Sequence, residues 1–355
     1  VHSGLQPLSF GVPLPRGLTR SAAQLVLVGP DGKAGPVQTE PLLHWPDGSI
    51  QWLLVDAVLG RLPEGESDWR LLARPWRDGD SPLRIRTAGS VLAVETGRLG
   101  LSFQQGSPKE LFRTRAYGSL RCDVSPRCRC TCGRETFRLE RVVPECAGPV
   151  RVTVRLTGKL GPARFIARVS AFAGTSLVKV QLTIRNLRRA RHPGGLWDLG
   201  DAGSVLLREL ALVIRPSDSA FDSCAWQVTQ EGAWQTAHPA RLEIYQDSSG
   251  GPNWQNRTHV SRSGRSPCRL AGYRIRTPEG EAYGSRAEPR VQATTRTGTL
   301  AVAVPEFWQQ FPRSLEVTPG QLVIGLFPRQ SAELHELQGG EQKTHTLWLD
   351  FAGGA

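Results

Sequence analysis

The chain has 355 residues, 39% of them hydrophobic and 21% charged, with a net charge of +12. It contains no run of about 18 apolar residues, which excludes a membrane-spanning helix. The positive charge rests on 39 Arg against 5 Lys. These arginines are scattered rather than clustered. Read as compositional bias they carry no function; read as function they mean attraction to an acidic polymer, nucleic acid or polysaccharide. The loops described below favour acidic polysaccharide, and no nucleic-acid partner is expected.

The length exceeds the ~250–300 residues that one core usually serves, so two domains are expected. Abundant Gly (38) and Pro (26) punctuate stretches rich in Val, Leu, Thr and Arg, a pattern of short strands joined by turns. Residues 1–85 read as a small β unit. Residues 24–28 alternate towards a strand, and Gly29-Pro-Asp-Gly32 is a turn. In Trp45-Pro-Asp-Gly-Ser-Ile-Gln-Trp52 a strand, a tight turn and a second strand follow one another, with glycine supplying the positive φ that the turn needs. The two tryptophans read as flanking this hairpin. The polar, turn-rich stretch 77–82 marks the boundary, and 86–355 form the second domain. There the stretches 91–95, 99–103, 150–157, 164–171, 176–186, 205–214, 241–246, 299–304, 322–327 and 344–351 alternate or run apolar for a strand's length. Long neighbouring strands predict a large antiparallel β-sandwich. Only 306–313 (EFWQQFPR) has the makings of a short helix, stopped by Pro312.

A start at Val1 rather than Met is what removal of a signal peptide, or an arbitrary boundary, leaves behind. Seven cysteines include Cys122, Cys128, Cys130 and Cys132 in the segment CDVSPRCRCTC. The Cys-x-Cys-x-Cys spacing is poor for tetrahedral zinc, so no metal site is expected. A disulfide within 122–146, in an oxidising compartment, fits better. The sequon Asn256-Arg-Thr258 agrees with secretion.

No dinucleotide fingerprint, phosphate loop, nucleophile elbow or HExxH pair occurs, and no cofactor is expected. Two loops combine glycines with aromatic and ionisable residues. The first, 191–204, holds His192, Trp197, Asp198 and Asp201. The second, 245–259, holds Tyr245, Asn253, Trp254 and His259. Beyond it, Arg274 and Arg276 share one strand face, with Tyr273 on the other. Each loop also has a plainer reading, as a Gly-rich hairpin or as a solvated loop over a packed Trp.

At this point a family resemblance enters. Phe10-Gly-Val-Pro-Leu-Pro-Arg-Gly17 followed by Trp45-Pro-Asp-Gly-Ser-Ile-Gln-Trp52 resembles the N-terminal RIFT-barrel domain of the exo-rhamnogalacturonan lyase family, which includes the YetA-like bacterial proteins. His192 with Trp197-Asp-Leu-Gly-Asp201, Ser249-Gly-Gly-Pro-Asn-Trp254 and Gly340-Glu-Gln-Lys-Thr-His345 resemble that family's central β-sandwich. The resemblance implies a RIFT-type barrel, a β-sandwich and, in family members, a C-terminal α/α toroid. Nothing in this sequence reads as that toroid, so a separate toroid partner or a homo-oligomer is expected to complete the cleft.

The resemblance also implies β-elimination on a uronate-containing polysaccharide. Such a reaction neutralises a carboxylate, removes the C5 proton and protonates the leaving oxygen. Arg274 or Arg276 with Asn253 suit the carboxylate, His192 or His259 the base, and Tyr245 the acid. Trp197 and Trp254 suit stacking on sugar rings, with Asp198 and Asp201 beside them. On this reading Arg276→Ala weakens acidic-glycan binding by ~1–3 kcal/mol. Two other classes compete. One is a non-catalytic carbohydrate-binding or structural subunit of an extracellular assembly. The other is a hydrolase, which needs paired carboxylates about 5–10 Å apart; Asp198 with Asp201 or Asp247 would supply them.

Overall fold

A computed structural model describes residues 4–22, 25–60, 65–73, 81–116, 120–131, 136–191, 201–256 and 264–353. The described residues contain strands, turns and irregular segments and no α-helix. The first sheet has the spatial order β1 (Gln6–Pro13), β4 (Ile50–Leu59), β3 (Ala34–His44), β2 (Leu25–Val28), β5 (Arg70–Ala73). Its pairs are all antiparallel. The hairpin of β3 and β4 is the expected one. Gly48 sits at φ 84°, its N–H donates to the Trp45 carbonyl at 2.9 Å, and Asp47 Oδ1 accepts from the Ser49 N–H at 3.0 Å. Alternation along β4 buries Leu53, Val55, Ala57 and Leu59, which form a small core with Leu27, Val37 and Ile50.

The second sheet has twelve strands. Its path runs β20 (Gly280–Gly284), β19 (Tyr273–Thr277), β18 (Leu242–Gln246), β23 (Arg313–Thr318), β24 (Gln321–Phe327), β15 (Val205–Pro216), β10 (Arg121–Cys130), β9 (Phe112–Ala116), β8 (Leu99–Gln104), β7 (Val91–Glu95), β6 (Arg84–Ala88), and β25 (His335–Leu337) pairs with the start of β15. The third sheet has nine: β11 (Phe137–Ala147), β12 (Arg151–Leu160), β13 (Ala163–Phe172), β14 (Leu177–Arg185), β26 (Gln342–Gly353), β22 (Gly298–Ala303), β21 (Arg290–Thr295), β16 (Ser223–Gln227), β17 (Gln235–Ala237). Strict period-2 burial drives the packing. On β14, Val178, Val180, Leu182 and Ile184 are buried while Lys179, Gln181 and Thr183 are not. One continuous core joins the inner faces of the two large sheets. The mostly-β architecture expected from the sequence is present, and every one of the ten alternating stretches named above forms a strand.

One expectation needs correction and another is met in part. Residues 306–310 form turns rather than a helix, and Arg313 already opens β23. Glu306 sits at φ 56°, in the left-handed region that cannot seed a right-handed helix, and one i→i+4 bond follows, from the Gln310 N–H to the Glu306 carbonyl at 3.0 Å. The cysteine cluster carries a disulfide at Cys130, within the expected span 122–146, but its other described cysteines are not cross-linked. Cys122, Cys128 and Cys146 are free thiols, as are Cys224 and Cys268. Cys122 and Cys128 point inward from β10 in phase with Val124, where free cysteine packs as a small apolar side chain. Cys130 is not among the free thiols, and Cys132 lies outside the described residues.

Candidate functional site at one end of the sandwich

The strand register sets the loops at one end. Gln246 is opposite Tyr273 and Arg313, and in the other large sheet Arg185 is opposite Gln342. Asn186 ties the two sheets there, its Nδ2 donating to the Gly203 carbonyl at 2.8 Å and the Leu337 carbonyl at 3.0 Å. The connections 186–204, 247–272, 285–289, 304–312 and 328–334 therefore all depart from this end. It includes the feet of both loops singled out in the sequence.

The foot of the second loop is rigid. Gln246 is fully buried; its Nε2 donates to the Ser248 and Ser285 carbonyls at 2.6 and 2.9 Å, and its Oε1 accepts from the Ala287 N–H at 2.9 Å. Gly272 lies at φ 96°, and a Cβ there would stand 2.2 Å from the Gly284 carbonyl oxygen, so only glycine fits. Tyr245 is buried, and its hydroxyl donates to Asp247 Oδ1 at 2.5 Å. Asp247 Oδ2 in turn accepts from the Leu270 N–H at 2.8 Å and from the Arg269 N–H. Burial, reinforced by the Asp247 carboxylate, pushes the Tyr245 phenol far above its ordinary range. Tyr245 thus pins 247 to 268–272; the geometry does not suit the acid role first assigned to it. Asp247 is committed to the same bonds and makes a poor hydrolase carboxylate.

The remaining candidates divide. Arg274 and Arg276 do share the outer face of β19, but their charge is already met. Arg274 Nη2 lies 3.1 Å and Arg276 Nη1 3.7 Å from Glu243 Oε1, and Arg276 also pairs with Glu281. Gln330 Nε2 bridges Glu243 and Glu316 at 2.9 and 2.8 Å. The charges of this network are answered within it, although Arg274 Nε and Gln330 Oε1 have no partner, so it is not a waiting carboxylate receptor. Asp201 caps a turn, accepting from the Arg191 N–H at 2.7 Å and the Gly203 N–H at 2.6 Å. Asn253 is exposed and Trp254 half-buried in consecutive turns. His192, Trp197, Asp198 and His259 lie outside the described residues.

Beside Ser249, at the start of the same loop, stands a residue that sequence reasoning passed over. The exposed Arg286 lays its guanidinium 4.2 Å from the centre of the Trp308 ring. Its Nε donates to the Ser249 carbonyl at 3.3 Å, and Trp308 Nε1 donates to Glu288 Oε1 at 3.3 Å. No carboxylate pairs with Arg286 among the described residues.

A second missed group lies deeper, between the sheets. Arg313 is 1% exposed; Nη2 donates to Gln310 Oε1, while Nε and Nη1 have no partner. Burial pulls its pKa down to about 10. Lys343 and His345 project inward from β26, opposite the buried Ile184 and Leu182. Burial and the nearby Arg313 pull Lys343 down to about 8. His345 is fully buried with neither ring nitrogen partnered; burial, Arg313 and Lys343 hold it well below the usual histidine range. Lys343 Nζ, His345 and His335 surround the Phe327 ring at 5.2, 5.6 and 5.1 Å from its centre. His335 is satisfied, bonding the Pro328 carbonyl at 2.9 Å. Each unpartnered buried polar group costs ~1–3 kcal/mol, so the arrangement opposes stability. The sequence did contain a signal: Lys343 and His345 are in phase with the apolar Leu347, Leu349 and Phe351.

Comparison with known proteins places this geometry in context. Residues 2–64 match the family model of the PcRGLX-like N-terminal RIFT barrel domain. Over 88% of its length the chain is 23% identical to the uncharacterized protein YetA of Bacillus subtilis (strain 168), and it spans 40% of that relative's length. The two matches support the resemblance read from the sequence. The first sheet carries the RIFT barrel domain, and over most of its length the chain is similar to a YetA protein. Among solved structures, an alpha-mannosidase from Enterococcus faecalis V583 aligns with 99% of this chain and 42% of its own at a TM-score of 0.49 and 9% identity. A TPR-domain containing protein from Parabacteroides distasonis ATCC 8503 aligns with 99% of this chain and 56% of its own at a TM-score of 0.40 and 7% identity. Likeness at that level carries no argument about function.

Proposed function

We propose that this chain forms the sugar-recognising β-domains of an extracytoplasmic protein that acts on uronate-containing polysaccharide such as rhamnogalacturonan, by β-elimination. The observation that carries the reading is Arg286, exposed at the loop-bearing end, stacked on Trp308 and free of any carboxylate among the described residues. A guanidinium held flat by an aromatic ring keeps its fork free for a uronate carboxylate. Asn253 and Trp254, exposed and half-buried on the adjoining segment, supply an amide and a ring for the sugar. His192 and His259 remain the proposed proton carriers, and a toroid partner or a second copy is the proposed opposite wall of the cleft. The exposed Asn256 of the sequon suits secretion.

The test is binding and turnover together. Arg286→Ala is expected to weaken binding of polygalacturonate or rhamnogalacturonan by ~1–3 kcal/mol, with neutral glycans unaffected. Product is read at the absorbance of unsaturated uronates. Equal affinity of the variant for acidic glycan would overturn the reading. Binding without turnover would favour the non-catalytic carbohydrate-binding subunit. The internal commitments of Tyr245 and of Arg274 and Arg276 favour that second reading, since they withdraw these three residues from the acid and carboxylate roles expected of them.

A further inference from the structure

We propose that Arg313, Lys343 and His345 form an anion-binding site for an organic carboxylate, set between the two large sheets at the loop-bearing end. The site is distinct from Arg286, and it rests on the preceding reading only for naming that carboxylate as a uronate.

The argument starts from what is missing. Arg313 has two unpartnered nitrogens and His345 has two, in side chains that are 1% and 0% exposed. Buried polar groups in folded proteins nearly always find partners, and buried cations find anions. Here the cations face one another. Arg313 lies close enough to Lys343 and His345 to depress the proton affinity of both. Glu306 and Glu341 are the carboxylates within electrostatic reach of Arg313 and Lys343, and both are turned to other partners. Glu306 Oε2 accepts from Gln310 Nε2 at 2.5 Å, and Glu341 Oε2 accepts from the Gln338 N–H at 2.7 Å. A cluster that costs stability and has no anion partner among the described residues is completed by an external one.

The surroundings select the anion's class. Arg313 and Lys343 supply two positive charges, and His345 supplies an N–H donor that needs no proton uptake. Phe327 places an apolar ring among them, which suits an organic acid better than a fully hydrated inorganic ion. Lys343 is the part-exposed member and marks the side from which a ligand meets solvent.

Thermal unfolding of the whole chain tests this with galacturonate, galactose and inorganic phosphate at matched ionic strength. Galacturonate is expected to raise the unfolding midpoint in proportion to the logarithm of its concentration, galactose to leave it unmoved, and phosphate to act more weakly. Lys343→Met and Arg313→Met are each expected to weaken galacturonate at least tenfold. Arg313 is fully buried, so the part-exposed Lys343 supplies the variant that keeps the test open if Arg313→Met fails to fold. Equal shifts from galactose and galacturonate, or an undiminished galacturonate shift in Lys343→Met, would overturn the site. A phosphate shift equal to that of galacturonate would overturn its assignment to organic acids. If Lys343→Met loses galacturonate while Arg286→Ala leaves polysaccharide binding intact, this site stands and the Arg286 reading fails; the reverse pattern overturns this site and leaves that reading standing.

Discussion

Arg151 and Arg313 are two arginines on strands of one sandwich, and their surroundings are opposites. Arg151 donates Nε and Nη2 to Asp56 Oδ2 at 3.0 and 2.8 Å and Nη1 to Thr153 Oγ1 at 3.0 Å. Asp56 belongs to the RIFT barrel and also accepts from Ser9. Gln38 of the barrel adds its Oε1, which accepts from the Val150 and Arg151 N–H groups at 3.2 and 2.8 Å. That junction is a finished latch between barrel and nine-stranded sheet, every charge answered from within the chain. Arg313 is more deeply buried and answered by one neutral amide. The contrast separates charge kept for architecture from charge kept for something else, because stability alone would replace Arg313 with an apolar side chain.

The largest expected effect breaks that comparison if it fails. Asp56→Ala leaves Arg151 facing an empty junction and is expected to cost ~3–5 kcal/mol, as when one partner of a buried pair is removed. Arg313→Met removes a cation with no internal partner and is expected to leave unliganded stability unchanged or raised. Urea unfolding measures both. A loss in Arg313→Met as large as that in Asp56→Ala would mean that Arg313 is structural after all.

The next effect follows pH. Burial lowers His335 to about 4 from 6.5. Between those values the unfolded chain binds the proton and the folded chain does not, so stability falls as pH drops from about 6.5 towards 4. The loss from His335 alone is on the order of 3 kcal/mol, and His345 acts in the same direction. Lys343, lowered to about 8 from 10.5, obeys the same sign at higher pH: stability rises as pH climbs from 8 to 10.5. Added galacturonate is expected to flatten the alkaline limb, since a bound carboxylate restores Lys343's proton.

How much of this was legible in sequence depends on the range of the signal. Strands whose side chains alternate strictly, such as β14, announce themselves because period 2 is a local property. The inward phase of Lys343 and His345 with Leu347 was equally local, but strand alternation alone does not say that Arg313 lies close by. The pairing of Arg276 with Glu243 was not readable either, because it depends on β18 and β19 meeting in one register across a long connection. The cysteines were legible in part. The crowding pointed to a disulfide, which Cys130 carries, yet Cys122 and Cys128 are both inward positions of a single strand and contribute to the core as thiols. Loop content was legible as residue types. Arg286, exposed at that end and stacked on Trp308 without a carboxylate partner among the described residues, lies on a short connection between strands, where residue types alone gave no signal.

A smaller effect concerns the strand arginines. Arg276→Ala is expected to change acidic-glycan affinity less than twofold, against the larger loss first expected from the sequence, because Glu281 and Glu243 already hold its charge. Isothermal titration beside Arg286→Ala decides between them. A loss from Arg276→Ala matching that from Arg286→Ala would move the carboxylate receptor to the outer sheet face and dissolve the distinction between satisfied and waiting arginines.

The smallest effect uses the cysteines as reporters of the latch. Cys122, Cys128, Cys224 and Cys268 are buried thiols, and burial pushes Cys122 up to about 12 and Cys268 up to about 11. Thiolates are the reactive form, so these four are expected to resist alkylation until the sandwich unfolds. Cys146 differs in place rather than in chemistry. It is half-buried on β11, and Gln38 Nε2 reaches from the barrel to its Sγ at 2.8 Å. Its labelling therefore requires only that the barrel lift from the sheet, a local opening cheaper than global unfolding. Asp56→Ala weakens the junction and is expected to speed Cys146 alkylation severalfold while the other four stay protected. Arg313→Met, at the opposite kind of arginine, is expected to leave that rate alone. Peptide mapping after timed alkylation reads all five positions in one experiment. Acceleration of Cys146 in both variants would show that the two ends of the sandwich are coupled, and that Arg313 contributes to the same architecture that Arg151 completes.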